Sequence, residues 1–240
     1  MAHLNNMRPW QQEKHYVQAL TLNALSELPL AFKGDTYLWF FHGLRRFSED
    51  LDFTATGALN ESIPESTSRS LSFFGVENDI KMVSGDNKTL SFRIAARGPL
   101  NTGPNDLCFV YVEISRREAL IEKGIPLKLD YPAYQLPVRR LIGMSLDEVA
   151  AEKVRAILSR NKARDIYDLH YLVKEKGVRF SKHMVDSKLK YYKKSFSSAL
   201  FLGAVEAKRQ AYTKELKGIV FDELPNFDAV KGALENWTAK

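Results

Sequence analysis

The sequence predicts an α+β fold, with a mixed sheet and flanking helices first and a helical domain after it. Short apolar runs of strand-like pattern alternate with helical segments in the first half, and the hydrophobic period then changes from two to 3.6. Hydrophobic residues make up 45% of the 240, which is ample for a packed core. A proline-punctuated passage separates the two patterns, so we predict an α/β domain over residues 1–135 and a helical domain over residues 136–240.

The N-terminal elements are predicted from local patterns. Helical spacing covers residues 10–28 and the aromatic-rich residues 35–46, whereas residues 57–70 are polar and indicate a loop or a helix entrance. Four segments have the pattern of strands: PLAFKG (29–34), FSEDLDFTAT (47–56), KTLSFRIAARG (88–98) and DLCFVYVEISRRE (106–118). The passage from Leu129 to Gly143 is interpreted as irregular.

The C-terminal elements are predicted helices. Ser145 with Glu148 three residues later forms a capping-box pattern before the first of them, and Gly177 ends the second. Residues 181–217 are also mostly helical in pattern and hold nine Lys or Arg against three Asp or Glu, a surplus equal to the net charge of +6 of the whole chain. This charge indicates a polyanionic partner, although a solvated basic helix face gives the same pattern.

Composition excludes several classes of protein. The N-terminal residues do not resemble a secretory signal, and no apolar run approaches the roughly 18 residues that a membrane span needs. The single cysteine, Cys108, excludes an internal disulfide and predicts a reducing cytoplasm; its apolar neighbours indicate a core position. None of the five histidines, from His3 onwards, has the spacing of a metal site or a catalytic triad.

The stretch RRFSEDLDF carries the first candidate chemistry. In a strand, Ser48, Asp50 and Asp52 share one face, with Leu51 and Phe53 on the core side, and the two aspartates lie about 6.6 Å apart at Cα. Two unneutralised carboxylates at this spacing repel each other, and a hard cation such as Mg²⁺ relieves the repulsion. A solvated strand face is the alternative explanation.

The segment before these acids has the order strand, glycine turn, helix. A glycine before a helix lets the backbone approach a ligand and offers free N–H groups to phosphate. The whole run, FKGDTYLWFFHGLRRFSEDLDF, resembles the signature of AbiEii/MenT-type nucleotidyltransferase toxins, which belong to the DNA polymerase β-like nucleotidyltransferase superfamily. The resemblance implies a nucleotidyltransferase-like sheet, a triphosphate bound at Gly34, Thr36 and Ser48, and two metal ions bound by Asp50, Asp52 and a third acid.

Glu113 is the candidate third acid. It stands between Val112 and Ile114 in an otherwise apolar strand, although an exposed place on the polar face beside Tyr111 would look the same. With the two aspartates in place, we predict that Glu113 is the third metal ligand or the base for the acceptor hydroxyl.

A lysine in the helical half is out of place. On a helical wheel Lys153 falls within an apolar stripe, so it either snorkels to solvent or serves a buried anion. The segment AEKVRAILSR (151–160), followed by RDIYDL (164–169), resembles a second conserved segment that lies nearer the C-terminus in the same toxins. This implies that Lys153 contacts nucleotide phosphates and that Asp165 positions Lys153 or the acceptor. Asp168 is assigned to a structural salt bridge.

Asp35 departs from the family pattern, which has Gly or Ser at this position. A carboxylate here repels a triphosphate unless it turns away, caps the helix or helps to bind metal. The resemblance therefore implies a toxin that transfers NMP from an NTP, with Mg²⁺ or Mn²⁺, to the 3′ end of tRNA, and a cognate antitoxin. The alternatives are another RNA, a protein or a small molecule as acceptor, or a non-catalytic RNA- or antitoxin-binding module with a decayed site.

The run KLKYYKKSF is the predicted RNA-contacting segment. Its lysines can neutralise phosphates, and Tyr191, Tyr192 or Phe196 can stack on unpaired bases. A basic amphipathic helix with its aromatic residues in the core is the alternative.

Overall fold

A computed structural model describes residues 7–239. The first six residues, which include His3 and begin the polar N-terminal segment, lie outside the described residues, as does Lys240. The described chain divides into two compact units. The first comprises residues 7–43 and 47–144, and the second comprises residues 44–46 and 145–239.

In the part of the chain that the structure describes, no helix combines the length and the apolar character that crossing a bilayer requires.

The first unit is built on a mixed sheet. Its elements in chain order are α1 (Pro9–Leu25), β1 (Leu30–Lys33), α2 (Gly34–His42), β2 (Leu51–Ala55), α3 (Ile63–Phe73), β3 (Asn78–Gly85), β4 (Thr89–Ala96), β5 (Cys108–Ser115), β6 (Ile125–Leu129) and β7 (Arg139–Gly143). The strand order across residues 7–239 is β3-β4-β5-β2-β1-β7-β6. The β1–β7 and β2–β5 pairs are parallel and the others antiparallel. The predicted α+β fold is therefore confirmed.

The sheet has a buried face and a more open face. On β5, the buried residues Cys108, Val110 and Val112 alternate with the exposed Phe109 and Tyr111. Helix α1 packs on β5 and α3 packs on β3. Period-two alternation thus separates a core side from a side that carries polar and aromatic residues. Burial in this core also raises the pKa of Cys108 to about 12, in agreement with the core position predicted for it.

Several predicted boundaries are wrong. Strand β2 begins at Leu51, so Ser48 and Asp50 precede it and the strict alternation predicted for residues 48–52 does not apply. Of residues 57–70, interpreted as a loop or a helix entrance, residues 63–70 begin α3, so the helix alternative is confirmed for them. The sequence pattern missed β3 entirely. β3 was missed because it is an edge strand with a register shift between Met82 and Ser84, and most of its side chains are exposed.

The second unit is helical, as predicted. It contains α4 (Leu146–Ser159), α5 (Arg164–Glu175), α6 (Lys182–Lys190), α7 (Ser198–Glu206), α8 (Arg209–Leu216) and α9 (Phe227–Thr238). The Ser145 hydroxyl accepts a hydrogen bond from the backbone N–H of Glu148 at 3.2 Å, which caps α4 as its sequence indicates.

The division between the units differs from the predicted one. The passage interpreted as an irregular junction contains all of β7 and the last residue of β6. These two antiparallel strands complete the sheet, so the first unit continues to Met144 rather than ending at residue 135. Prolines at the ends of these short strands concealed the pattern. A second difference is that residues 44–46 belong to the helical unit, although the chain on both sides belongs to the sheet unit.

Candidate active site

The turn between β1 and α2 lies against the acidic strand. Gly34 has a φ of +78°, a left-handed conformation that favours glycine. A Cβ atom at this position would stand 2.6 Å from Oδ2 of Asp52, closer than the two atoms can approach. Only glycine, therefore, fits both the backbone conformation and the space that the Asp52 carboxylate occupies.

Two of the predicted acids lie on neighbouring strands. β2 and β5 are parallel, and their register places Asp52 opposite Glu113. Residues opposite each other in a sheet point to the same face, with strands about 4.8 Å apart. The register therefore brings Asp52 and Glu113 together on the more open face of the sheet, where Glu113 is exposed and Asp52 is half-buried.

Asp52 sits in a strongly negative environment. Its pKa is raised to about 7, first by burial and then by the carboxylates of Asp35, Glu113 and Asp50, while Lys33 lowers it. Asp35 lies in the first turn of α2 and is itself buried. The aspartate that departs from the family pattern thus adds to the charge that disfavours ionisation of Asp52.

The donor set fits a hard divalent cation in its chemistry. Carboxylate oxygens are the ligands that Mg²⁺ prefers, and a cation would relieve the repulsion around Asp52. As the side chains stand, no group of three His, Cys, Asp or Glu within residues 7–239 is arranged to hold a metal ion. Glu113 instead pairs with Arg117 at 3.1 Å. Metal ligation by Asp50, Asp52 and Glu113 therefore remains a prediction.

The two hydroxyls predicted to bind nucleotide are buried. The Thr36 and Ser48 hydroxyls lie 2.6 Å apart and share a hydrogen bond, and Thr36 also donates to the backbone carbonyl of Asp50. Gln18 of α1 donates to the backbone carbonyls of Ser48 and Glu49 at 3.1 and 2.9 Å. These bonds tie α2 and α1 to the segment that leads into β2, so the two hydroxyls hold Asp50 in place. Their role as nucleotide ligands stays a prediction.

Lys153 lies in a buried ionic cluster of the second unit. Its Nζ atom is 3.1 Å from Asp165 and 2.6 Å from Asp168, and both aspartates are fully buried on α5. Lys153 itself is only 5% exposed. The sequence allowed Lys153 either to extend its ammonium to solvent or to bind a buried anion. In the structure the ammonium contacts two buried carboxylates, so the second alternative holds within this unit.

Two arginines complete the cluster. Arg160 donates to both carboxylate oxygens of Asp165 at 2.8 Å, and Arg46 donates to both oxygens of Asp168 at 2.6 and 2.7 Å. Burial favours a raised pKa for Asp165, but the charges of Lys153 and Arg160 and their hydrogen bonds outweigh it and lower the pKa to about 2. These five side chains carry three positive and two negative charges, a balance that suits contact with an anion.

The neighbouring Arg45 and Arg46 lie in different environments. Arg45 pairs with Asp222 on the surface, whereas Arg46 is fully buried. Glu49, three residues after Arg46, contacts Lys14. Because Asp168 follows Arg46 by 122 residues, no local spacing could reveal the pair.

Part of the basic surplus of residues 181–217 is structural. Lys188 is buried against Glu148 and Glu152, and the buried Lys208 donates to the backbone carbonyls of Ile157 and Ala204.

The aromatic residues of residues 181–217 also differ in their exposure to solvent. Phe196 is buried, the Tyr192 hydroxyl accepts a hydrogen bond from Arg155, and Tyr191 is 45% exposed. Of the three aromatic residues predicted to stack on bases, the structure therefore leaves Tyr191 the most open to solvent.

The predicted site residues fall into two groups. The first unit holds Gly34, Thr36, Ser48, Asp50, Asp52 and Glu113, and the second unit holds Lys153 and Asp165. The sequence did not identify two residues that contact them, Gln18 at the Ser48 backbone and Arg117 at Glu113. It also did not identify Arg46, which pairs with Asp168 beside Lys153.

Comparison with known proteins gives a family match and a set of structural neighbours. The family described as "Nucleotidyl transferase AbiEii toxin, Type IV TA system" matches residues 18–236. This range includes both groups of predicted site residues. No curated protein matches the sequence.

Three solved structures have a similar fold. JHP933 from Helicobacter pylori has a TM-score of 0.67 at 20% identity, over 97% of this chain and 92% of its own. A candidate nucleotidyltransferase from H. pylori has a TM-score of 0.70 at 20% identity, over 97% and 95%. MenT4, a nucleotidyltransferase toxin from Mycobacterium tuberculosis H37Rv, has a TM-score of 0.68 at 18% identity, over 99% and 86%. At these identities the likeness shows a common fold.

Proposed function

Because this chain belongs to the AbiEii nucleotidyl transferase toxin family, we propose that it transfers a nucleoside monophosphate from an NTP to the 3′ end of a tRNA. Membership makes it a nucleotidyltransferase of a toxin–antitoxin system, with an NTP substrate and a cognate antitoxin. The observation that carries the proposal is the in-register pair Asp52 and Glu113, with the Gly34 turn closed against Asp52.

The residues around Gly34 would bind the triphosphate. A left-handed glycine at the start of α2 leaves the first N–H groups of the helix available to phosphate oxygens, and the helix dipole favours negative charge there. Lys153, held by Asp165 and Asp168, would contact the nucleotide phosphates, as the family resemblance implies. Asp165 then acts as a positioning residue, since its carboxylate binds Lys153 and Arg160.

Mg²⁺, or Mn²⁺ in its place, would be held by Asp50, Asp52 and Glu113. When bound, the metal would supply activation of the acceptor hydroxyl and neutralisation of the triphosphate and pyrophosphate charge. For Glu113 to serve as a ligand or as the base for that hydroxyl, its carboxylate must leave Arg117. The released guanidinium could then donate to a phosphate oxygen.

An RNA acceptor is supported by the surface of the second unit. Lys190, Tyr191, Lys193 and Lys194 are all exposed around the end of α6. Lysines that are not buried in ion pairs can neutralise phosphates, and the Tyr191 ring can stack on a base.

The proposal is tested by following label from each of four α-³²P nucleotides into total cellular RNA in the presence of Mg²⁺. The protein is compared with the Asp50→Ala/Asp52→Ala variant and with Asp222→Ala, which removes an exposed carboxylate paired with Arg45. We expect one nucleotide to label a tRNA-sized band, with no labelling by the double variant and normal labelling by Asp222→Ala.

Absence of label on RNA with all four nucleotides would overturn the tRNA proposal. Label on a protein or a small molecule would then identify the other class of acceptor. Labelling that survives in the Asp50→Ala/Asp52→Ala variant would contradict the assignment of the site.

A further inference from the structure

The open face of the sheet continues from the candidate site along β5. Tyr111 and Phe109 precede Glu113 at two-residue spacing and point to the same side, while Val110 and Val112 between them are buried. Phe109 is 37% exposed and Tyr111 is 44% exposed. Two large aromatic side chains therefore lie on the same strand and the same face as Glu113, outside the core.

A pair of cations lies beside these aromatic residues. Arg93 on β4 is opposite Tyr111 on β5 and opposite Lys81 on β3, so all three side chains share the open face. Like charges directly opposite each other destabilise a sheet unless an anion lies between them. Within residues 7–239 neither Lys81 nor Arg93 forms a salt bridge with an acidic side chain.

The Arg93 side chain is held in place but incompletely satisfied. Its guanidinium carbon lies 4.7 Å from the centroid of the Phe109 ring, in cation–π geometry. Its Nε atom is buried and lacks a hydrogen-bond partner within the described residues. Because Nε is shielded from solvent, a phosphate oxygen would bind the other N–H groups of this half-buried side chain.

From this arrangement we propose that Lys81, Arg93, Phe109 and Tyr111, the acceptor face, bind an unpaired segment of the RNA that receives the nucleotide. Bases stack on Tyr111 and Phe109, and backbone phosphates contact Lys81 and Arg93. The inference rests on the proposed function, because the acceptor must be RNA.

The distance along β5 between Tyr111 and Glu113 suits an RNA strand. Asp52, Glu113 and Ser91 lie at one level of the sheet, and Tyr111, Arg93 and Lys81 lie at the next, about 6.6 Å along β5. A base stacked on Tyr111 would therefore place the neighbouring nucleotide beside the acids. Asp79, which faces the same side, lies at the level of Phe109, farther from Glu113.

Nucleic acid suits this face better than a peptide strand does. Aromatic stacking with adjacent cations is how proteins bind single strands without reading sequence. A peptide added to the sheet would use the edge of β3 rather than the face, and it would not need Lys81 and Arg93 to be opposite each other.

The test measures binding and transfer separately. Affinity for a short fluorescein-labelled single-stranded RNA is followed by anisotropy over a range of salt concentrations, and KM for tRNA and for NTP by label transfer. The variants are Phe109→Thr/Tyr111→Thr, which keeps strand-forming residues, and Lys81→Gln/Arg93→Gln. The controls are Phe73→Ser, an 86% exposed aromatic residue on α3, and Lys128→Gln, on the opposite edge strand β6. Thermal melting checks that every variant is folded.

We expect the aromatic variant to lose about 25-fold or more in RNA affinity without a change in salt dependence, because it removes two stacking contacts that each contribute about fivefold or more. The charge variant should lower the slope of log K against log salt by about 1.4, because each phosphate contact on a single strand contributes about 0.7. Both should raise KM for tRNA and leave KM for NTP unchanged, and both controls should behave as the parent protein.

Three results would overturn the inference in distinguishable ways. If the parent protein labels tRNA and both variants bind and label it equally well, the acceptor lies elsewhere and the proposed function stands. If the parent protein labels no RNA, the proposed function fails and this inference fails with it. A protein acceptor whose labelling is lost in both variants would assign the same face to a protein instead.

Discussion

The guanidinium of Arg46 binds both carboxylate oxygens of Asp168, at 2.6 and 2.7 Å, and both side chains are fully buried. Asp168 in turn contacts Lys153 at 2.6 Å. Removing one partner of a buried pair leaves the other charge in a low-dielectric environment, which is the costliest way to disturb such a pair. Arg46, two residues before Ser48, is therefore as important to the helical unit as any core residue.

Arg46→Ala is expected to lower the free energy of unfolding by about 3–5 kcal/mol, equivalent to a fall in Tm of ~10 °C. Arg45→Ala is the matched control, since Arg45 pairs with Asp222 at the surface and solvent screens that interaction. Thermal melting of the two variants should show a large shift for Arg46 and almost none for Arg45. Equal shifts would mean that the buried pair does not stabilise the protein.

Gly34→Ala is expected to abolish transfer. The substitution adds about 1–2 kcal/mol of left-handed backbone strain and also forces Asp52 to move, because the new Cβ would lie 2.6 Å from its carboxylate oxygen. Gly75 has the same φ of +78°, and a Cβ added there would meet nothing within 4 Å, so Gly75→Ala isolates the strain. In urea, Gly75→Ala should lose only the stability that the strain costs, Gly34→Ala should lose more because of the contact with Asp52, and only Gly34→Ala should lose activity. Full activity in Gly34→Ala would refute the close fit around Asp52.

Asp52→Asn is expected to stabilise the metal-free protein while it inactivates the enzyme. The folded-state pKa of Asp52 is raised to about 7, so stability that is present below the ordinary pKa of 3.8 is lost as the pH rises towards 7. At pH 8 the neutral amide should therefore gain at least ~1 kcal/mol in free energy of unfolding. Added Mg²⁺ should raise Tm of the parent protein and not of the variant. If the variant were less stable than the parent at pH 8, the inferred repulsion between Asp52 and the neighbouring carboxylates would be contradicted.

His15 is expected to make the protein sensitive to mild acid. Its ring is buried, its Nδ1 lies 2.8 Å from the Tyr134 hydroxyl, and it stacks on Phe40. Desolvation lowers its pKa from 6.5 to about 3, so the unfolded chain takes up a proton between these values and stability falls as the pH falls. Between pH 7 and pH 5 the loss should be about 2 kcal/mol, measured by urea unfolding.

His15→Phe keeps an aromatic ring in the same packing and removes the titration. We expect this variant to show a flatter dependence of stability on pH over the same range. An unchanged pH profile would assign the acid sensitivity to other groups.

Local pattern was sufficient for much of this protein. Spacing, hydrophobic period or resemblance predicts the glycine turn, the strands that carry Asp52 and Glu113, the capped helix at Ser145 and the place of Lys153 in an apolar stripe, because each depends on residues close in sequence. The sheet register then supplied what spacing could not, which is that Asp52 and Glu113 lie opposite each other.

Long-range pairing and edge strands could not be predicted in this way. Arg46 pairs with Asp168, which lies 122 residues later, and no local sequence pattern predicts this pair. β3 has too few buried side chains for period-two alternation to appear. Thr36 and Ser48 matched the family signature, yet their burial and mutual hydrogen bond depend on how α2 packs beside the segment before β2.

The assignment of residues 44–46 to the helical unit has a consequence for synthesis of the chain. At 5–20 residues per second, a ribosome adds Arg46 roughly 6–24 s before it adds Asp168. A nascent toxin therefore carries a guanidinium without its buried partner until most of the chain has been made. Cutting the gene at Ser145 would give two fragments, neither of which contains all of the second unit. The protein is for this reason a poor candidate for exchange of its halves with those of other proteins.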